Sequence, residues 1–216
     1  LRDWESRIKE AIDKYQPDQI WFDFGIRGLF DPYLKDMVAY YYNKSVEWGK
    51  DVLVTHKREM PEGVGVIDIE RGRMDTLTPY LWQTDDSVAT NTWGYTQNMD
   101  FRSVIDLVHE LVDIVSKNGV LLLNVGPRAD GVIPEEQKKL LLGIGKWLKV
   151  NGEAIYATRP WKMFNEGDDI RFTRSKNDKV VYAICLKWPG EELRIKSMSS
   201  VCPLCPKGIA EVRMLG

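Results

Sequence analysis

The side chains best equipped for chemistry in this sequence sit in or just after short apolar runs. The first run, Gln19 to Phe24, carries Asp23 within Trp21-Phe22-Asp23-Phe24-Gly25. A second, Asp51 to Thr55, is followed by His56 and Lys57. A third, Val64 to Ile69, contains Asp68 and leads into Glu70 and Arg71, and a fourth, Val120 to Val125, contains Asn124 ahead of Gly126-Pro127. An acid beside an aromatic pair at the end of a buried run is costly to bury unless it is paired or used. Asp23 therefore either caps the loop that follows or acts on a ligand, and spacing alone does not choose between the two. Glu70, at the end of a different run, is placed to face it across a common mouth. Two carboxyls, one ionised and one kept protonated, are the equipment of glycoside hydrolysis. Trp21, Trp82, Trp93 and Tyr95 offer flat apolar faces near these points, suited to the C–H side of a sugar ring, although each taken singly reads more readily as core. His56, one of two histidines, is placed for substrate hydrogen bonding or proton transfer. His109 falls beside a helical apolar stripe and reads as structural.

The elements that must hold these groups alternate in type. Trp4, Ile8, Ala11, Ile12 and Tyr15 share a helical face over residues 3–15, ended by Pro17-Asp18. The run Gln19 to Phe24 suits a buried parallel strand. A second helix is predicted over 33–48, with Leu34, Met37, Val38, Tyr41 and Val46 inward, and strands follow at 51–55 and 64–69. Residues 70–99 read as a long loop around a short segment at Tyr80–Thr84. Phe101, Val104, Ile105, Val108, Leu111, Val112 and Val115 mark a strong amphipathic helix stopped by Asn118-Gly119. The apolar strand 120–125 comes next. Pro134-Glu135-Glu136 then opens a further helix, with Pro in the first turn and acids toward the positive end of the helix dipole. Beyond residue 153 the helical period disappears, and short strands are predicted at 170–173, 180–186 and 193–195.

Helices alternating with buried strands predict an α/β fold with a parallel sheet. The visible strands are too few for a complete (β/α)8 barrel, which needs about 250 residues, but they suit part of one. An open doubly wound sheet is the alternative, although no G-x-G-x-x-G follows any strand. With 216 residues, 44% hydrophobic and 29% charged, the chain is globular in composition, and a net charge of -2 gives no case for a polyanion-binding surface. Three cysteines cannot build a disulfide scaffold, and Cys202-Pro-Leu-Cys205 without a second pair reads as ordinary thiols or a local disulfide rather than a zinc site. There is no H-E-x-x-H metal motif and no G-x-S-x-G nucleophile elbow. No apolar run approaches the roughly 20 residues of a membrane span.

Read together, the segments resemble the C-terminal half of the α-L-fucosidases of glycoside hydrolase family 29. Tyr15-Gln16-Pro17-Asp18-Gln19-Ile20-Trp21-Phe22-Asp23 is similar to the segment ending in that family's nucleophile. Trp82-Gln83-Thr84-Asp85, then Ser87 and Trp93-Gly94-Tyr95, resembles the loop before its penultimate helix. Asn118 to Pro127, with Asp130-Gly131 and Ile133-Pro134, resembles its last barrel strand and turn. Gly145-Lys146-Trp147-Leu148, Asn151 to Tyr156 and Arg159-Pro160-Trp161 resemble its last helix and exit, and Val181-Tyr182-Ala183-Ile184 with Trp188-Pro189 the opening of its β-sandwich. The match runs in order over nearly the whole chain.

The resemblance implies the latter part of a TIM-like (β/α)8 barrel over residues 1–155, followed by the start of an incomplete antiparallel β-sandwich over 156–216. It implies a retaining hydrolase of terminal α-L-fucose, with no metal or other cofactor and with Asp23 as nucleophile. Some members carry a Glu after the Trp matching Trp82. Here that position is Gln83, which cannot act as an acid, so the acid/base role falls to Glu70, with Asp85 and Asp86 as runners-up. Trp21, His56, Trp82 and Trp93 are the expected substrate contacts. The partner is a fucosylated oligosaccharide or glycoconjugate, with no nucleic acid and no membrane, and the oligomeric state is not indicated. A secreted, periplasmic or lysosomal-type compartment is expected rather than the cytoplasm. The alternative reading is a carbohydrate-binding protein on the same scaffold that has lost its acid. The chain opens on Leu1, and the early barrel segments of the family have no counterpart in it. It is therefore expected to be a piece of a larger enzyme, inactive alone.

Overall fold

The computed structural model describes residues 1–26, 31–57, 60–61, 63–199, 204 and 208–216. Cys202 and Cys205 lie outside the described residues. The chain divides into two compact units, Leu1–Glu70 and Arg71–Gly216.

In the first unit, helix α1 (Arg2–Tyr15) leads to strand β1 (Gln19–Phe22), helix α2 (Asp31–Trp48), strand β2 (Leu53–His56) and strand β3 (Val66–Glu70). The helix α1 stops where Gln16 turns left-handed at φ 44° immediately before Pro17, a residue whose ring disfavours helical geometry in the residue before it. The three strands are parallel, in the order β1-β2-β3. Ile12 of α1, Met37, Val38 and Tyr41 of α2 and Val54 of β2 form the core, with Trp4, Ile8, Ile20 and Phe22 packed on it. The Tyr41 hydroxyl donates to the Pro17 carbonyl and ties α2 to the turn before β1. Val46, expected inward, is 80% exposed: five residues after Tyr41, it is turned roughly 140° round the helix from it, whereas Trp48 beyond it still packs on the core.

In the second unit, strand β4 (Trp82–Ser87), helix α3 (Val104–Ser116), strand β5 (Gly119–Asn124) and helix α4 (Glu135–Asn151) repeat the strand–helix alternation. The strands β4 and β5 pair in parallel from Trp82↔Gly119 to Ser87↔Asn124. The helix α3 begins with a reciprocal capping box, in which the Ser103 side chain accepts from the Asp106 amide and the Asp106 carboxylate accepts from the Ser103 amide. Leu107, Val108 and Val112 of α3 pack with Val88 and Ile144.

An antiparallel sheet follows, β6 (Thr158–Glu166), β7 (Ile170–Ser175) and β8 (Val181–Cys185), in that order. Trp161 and Phe172 are at the centre of its core. Three findings differ from the sequence expectation. The strand β4 is six residues long and buried throughout, although Trp-Gln-Thr-Asp-Asp-Ser has no apolar signal. Arg159-Pro160-Trp161 begins a full strand; Pro160 is tolerated because β6 is at the edge of its sheet and its register shifts between Pro160 and Asn165. Residues 193–195 form no strand.

Candidate active site

Register decides which side chains share a face. In the first unit Trp21 is level with Thr55 and Val66, and Phe22 with His56 and Ile67. Successive residues of a strand point to opposite sides of the sheet. Ile20, Phe22 and Val54 pack against the helices, so the other face carries Trp21, Thr55 and Val66. Continued along each strand, that face carries Asp23, Lys57, Asp68 and finally Glu70. Two contacts agree with this assignment. Trp21 Nε1 donates to Asp68 Oδ2 at 2.5 Å, and Lys57 Nζ lies 3.2 Å from the same oxygen. The Lys57 ammonium also lies over the Trp21 ring, 5.6 Å from its centroid.

Asp68 is 2% exposed, and its Oδ1 has no hydrogen-bond partner among the described residues. A buried carboxylate is stable only with its charge matched, and Lys57 supplies the match. Asp23 and Glu70 are different: both are exposed, at the C-terminal ends of β1 and β3. These strands are separated only by β2, so their backbones are about two strand spacings, roughly 10 Å, apart. Trp21 is 39% exposed on the same face. The structure thus brings together Asp23, Glu70 and Trp21.

It does not add His56 to them. His56 is buried on the helix-facing side, level with Phe22 and Ile67, and its Nδ1 accepts from the Met60 amide at 3.3 Å. The expectation of a substrate contact there is corrected by strand alternation. Lys57, the next residue, is the one turned toward the face of Asp23.

In the second unit β4 alternates in the same way. Trp82 and Asp86 point toward α3, and Gln83, Asp85 and Ser87 away from it. Trp82 is 0% exposed; its Nε1 donates to the Lys117 carbonyl, and its ring packs so closely on Gly119 that a Cβ there would come within 2.6 Å of it. A ring sealed in this way has no face for a sugar, which corrects the expectation for Trp82. Asp86 is likewise occupied. Its Oδ2 accepts from Arg102 Nη1 at 2.8 Å, and the same nitrogen reaches Glu110 Oε2 at 2.6 Å. Burial, then a hydrogen bond with Asp86, holds the Glu110 carboxyl above its ordinary range against the opposing pull of Arg102. This tie to α3 makes Asp86 a support of the sheet rather than a proton donor to ligand. Asp85 is buried on the opposite side of the strand, and its carbonyl accepts from the Arg71 amide.

Trp93 lies at the C-terminal ends of β4 and β5. Asn124 Nδ2 donates to its carbonyl at 2.7 Å, and the Arg71 guanidinium stacks 4.4 Å from its ring centroid while donating to the carbonyls of Thr90 and Thr92. The Gln137 amide clamps Gly126 through both the N–H and the carbonyl. Gly126 is required here: a Cβ would fall 2.7 Å from the Tyr95 amide nitrogen. The loop bearing Trp93 and Tyr95 is therefore held against the end of β5 by backbone contact. Lys57 and Asp68 were visible at strand ends in the sequence; the signal that would have raised them is their two-residue step from Thr55 and Glu70.

Among the described residues no three His, Cys, Asp or Glu side chains are grouped to hold a metal ion, and no helix is long and apolar enough to cross a membrane.

The family model described as alpha-L-fucosidase matches residues 1–153. The plasma alpha-L-fucosidase of Rattus norvegicus is 37% identical over 197 residues, covering 84% of this chain and 42% of that protein. The plasma alpha-L-fucosidase of Homo sapiens is 33% identical over 226 residues, covering 97% and 46%. The crystal structure of Thermotoga maritima alpha-fucosidase in complex with fucose superimposes with a TM-score of 0.68 at 38% identity, covering 80% of this chain and 40% of that one. The chain spans less than half the length of these relatives. Its fold is the latter part of a TIM-like barrel followed by an antiparallel β module. Matched over most of its length in both sequence and structure, the chain belongs to the alpha-L-fucosidase family.

Proposed function

We propose that this chain carries the nucleophile and the acid/base of a retaining α-L-fucosidase that removes terminal α-L-fucose from oligosaccharides or glycoconjugates. The observation that carries the reading is the shared face of Asp23, Glu70 and Trp21 at the ends of parallel strands, the end of a barrel where catalytic groups gather. In this reading Asp23 attacks the anomeric carbon as the glycosidic bond breaks, giving a glycosyl-enzyme. Glu70 gives its proton to the leaving oxygen and then takes one from the water that releases fucose. Retaining enzymes hold the two carboxyls about 5–5.5 Å apart, so the side chains lean toward each other over the face that Trp21 shares. Trp21 supports the apolar side of the sugar, with its indole N–H anchored by Asp68.

The Thermotoga maritima relative is described in complex with fucose, which supports the substrate assignment. Relatives named for plasma and for tissue support a secreted or lysosomal-type compartment. Residues 1–155 form the barrel part in this reading and 156–216 the start of the sandwich. Turnover requires the remaining barrel strands, and the 216-residue chain alone is inactive.

The test is made in a protein that supplies those strands. Asp23→Gly lowers kcat for an aryl fucoside by about 10⁴-fold or more, and azide restores turnover with formation of β-fucosyl azide. Glu70→Ala spares substrates with good leaving groups, and azide then gives the α-fucosyl azide. An unaffected Glu70→Ala enzyme would remove Glu70 from the role. A second reading, sugar binding without hydrolysis, is favoured by Gln83 alone; wild-type protein that binds fucose but never turns over would establish it.

A further inference from the structure

A cavity of about 520 Å³ opens on the flank of α3 in the second unit. It is on the α3 side of β4, away from the side that carries Gln83, Asp85 and Ser87, and no step of the proposed hydrolysis uses it. Its size falls within the range of small-molecule sites, roughly 300–1,000 Å³, and is far larger than a lone inorganic anion needs.

Three arginines and three acids line it, but they are paired unevenly. Asp113 is the acid of one wall. Its Oδ1 accepts from Arg171 Nε at 2.7 Å and its Oδ2 from Lys117 Nζ at 2.8 Å. Arg73 also turns toward it, but only to 3.8 Å from Oδ2, beyond hydrogen-bond reach. Three cations therefore address one carboxylate. The Arg73 side chain is 59% exposed and makes no hydrogen bond among the described residues, so its planar fork of donors is open. His109, one turn before Asp113 on α3, lines the same cavity and also makes no hydrogen bond among the described residues. The remaining acids are already engaged. Asp106 accepts from the Ser103 hydroxyl and amide, and Glu110 accepts from Arg102. Phe101, partly exposed, and Leu186 add apolar surface.

We propose that this cavity binds an anionic sugar, a pyranose bearing a carboxylate or a sulfate group. The oxyanion accepts from the Arg73 fork, in the bidentate geometry that guanidinium groups favour, and from His109. Asp106 and Glu110 accept from ring hydroxyls, and the C–H face of the ring rests on Phe101 and Leu186. The site is independent of the fucosidase reading: it uses neither Asp23 nor Glu70.

The test is a calorimetric or NMR titration of the 216-residue chain with four probes: glucuronic acid, glucose 6-sulfate, glucose and inorganic sulfate. Saturable binding of either anionic sugar, at least about tenfold tighter than glucose or inorganic sulfate, is expected, and the better of the two identifies the anionic group. Arg73→Ala weakens that binding by about tenfold or more, and His109→Gln weakens it less. Phe101→Ala weakens the sugars while leaving inorganic sulfate unchanged. Arg73 is exposed, so its replacement leaves the fold intact, which circular dichroism checks. Glucose binding as tightly as the acids, sulfate binding as tightly as the sulfated sugar, an unaltered Arg73→Ala chain, or no saturable binding would each overturn the proposal.

Discussion

The acids of the two units are kept in opposite states. In the first unit Asp23 and Glu70 stand exposed at strand ends, with Asp68 buried behind them against Lys57 and Trp21. In the second unit the acids are drawn into two ion-pair clusters on α3: Asp86 and Glu110 share Arg102, tying β4 to α3, and Asp113 holds Lys117 and Arg171, tying α3 to β7. A carboxylate saturated by cations is fixed in place and has little reactivity to offer. One left open at a strand end contributes little to stability and is available to a substrate. The same residue type thus serves packing in one unit and, on the proposed reading, chemistry in the other.

The strongest way to break this contrast is at Asp113. Its side chain is 5% exposed and holds both Arg171 and Lys117. Asp113→Ala leaves two cations without their counter-charge, which costs about 3–5 kcal/mol for a buried pair, read as a lower urea midpoint. Burial alone would raise the Asp113 carboxyl, but the hydrogen bonds and charges of Lys117 and Arg171 outweigh it and hold the group below its ordinary 3.8. A depressed carboxyl stabilises the fold above pH 3.8, and this is lost as pH falls through its folded value. Asp23→Asn and Glu70→Gln, by contrast, change stability within about 0.5 kcal/mol, as exposed substitutions do. Equal losses at both sets of sites would end the distinction.

Much of this arrangement was legible in the residue pattern, because apolar periodicity reports the faces that meet the core. The stripe of α3 and the acid-bearing ends of β1 and β3 were read that way. The strand β4 was not, because Gln83, Thr84, Asp85, Asp86 and Ser87 are all polar and their burial rests on partners distant in sequence. Asp86, for example, depends on Arg102 and Glu110. Trp82 was read as a sugar platform because nothing local reveals that Gly119 makes room for its ring. His56 failed for a simpler reason: position at a strand end was read without strand parity, which turns it toward the helices and turns Lys57 the other way.

A smaller effect tests how firmly α3 holds the second unit's acids. Ser103→Ala removes the capping box at its first turn, with an expected loss of about 1 kcal/mol by urea unfolding. The helix α1 of the first unit has no side-chain cap to lose, and its first-turn acids Asp3 and Glu5 pair with Arg7 and Lys9, the Asp3 pair exposed and the Glu5 pair part-buried. Substituting Asp3 there changes stability by no more than the few tenths of a kcal/mol that an exposed helical pair contributes.

The smallest effect separates the two acids of α3 from each other. Asp113 is depressed by its cations, whereas Glu110 is raised, first by burial and then by its hydrogen bond with Asp86, with Arg102 only partly offsetting these. The signs of their pH dependence are therefore opposite. A carboxyl whose folded value lies above 4.5 favours the folded state most below pH 4.5, and that contribution is lost as pH rises through the folded value. Glu110→Gln puts a neutral side chain of the same shape at this position and removes the titration. The variant is thus expected to be slightly more stable than the wild type near pH 7 and to lose that advantage toward pH 4.5, measured as the difference in urea midpoint across the range. If the difference instead grew as pH fell, the pull of Arg102 on Glu110 would outweigh burial and the hydrogen bond with Asp86.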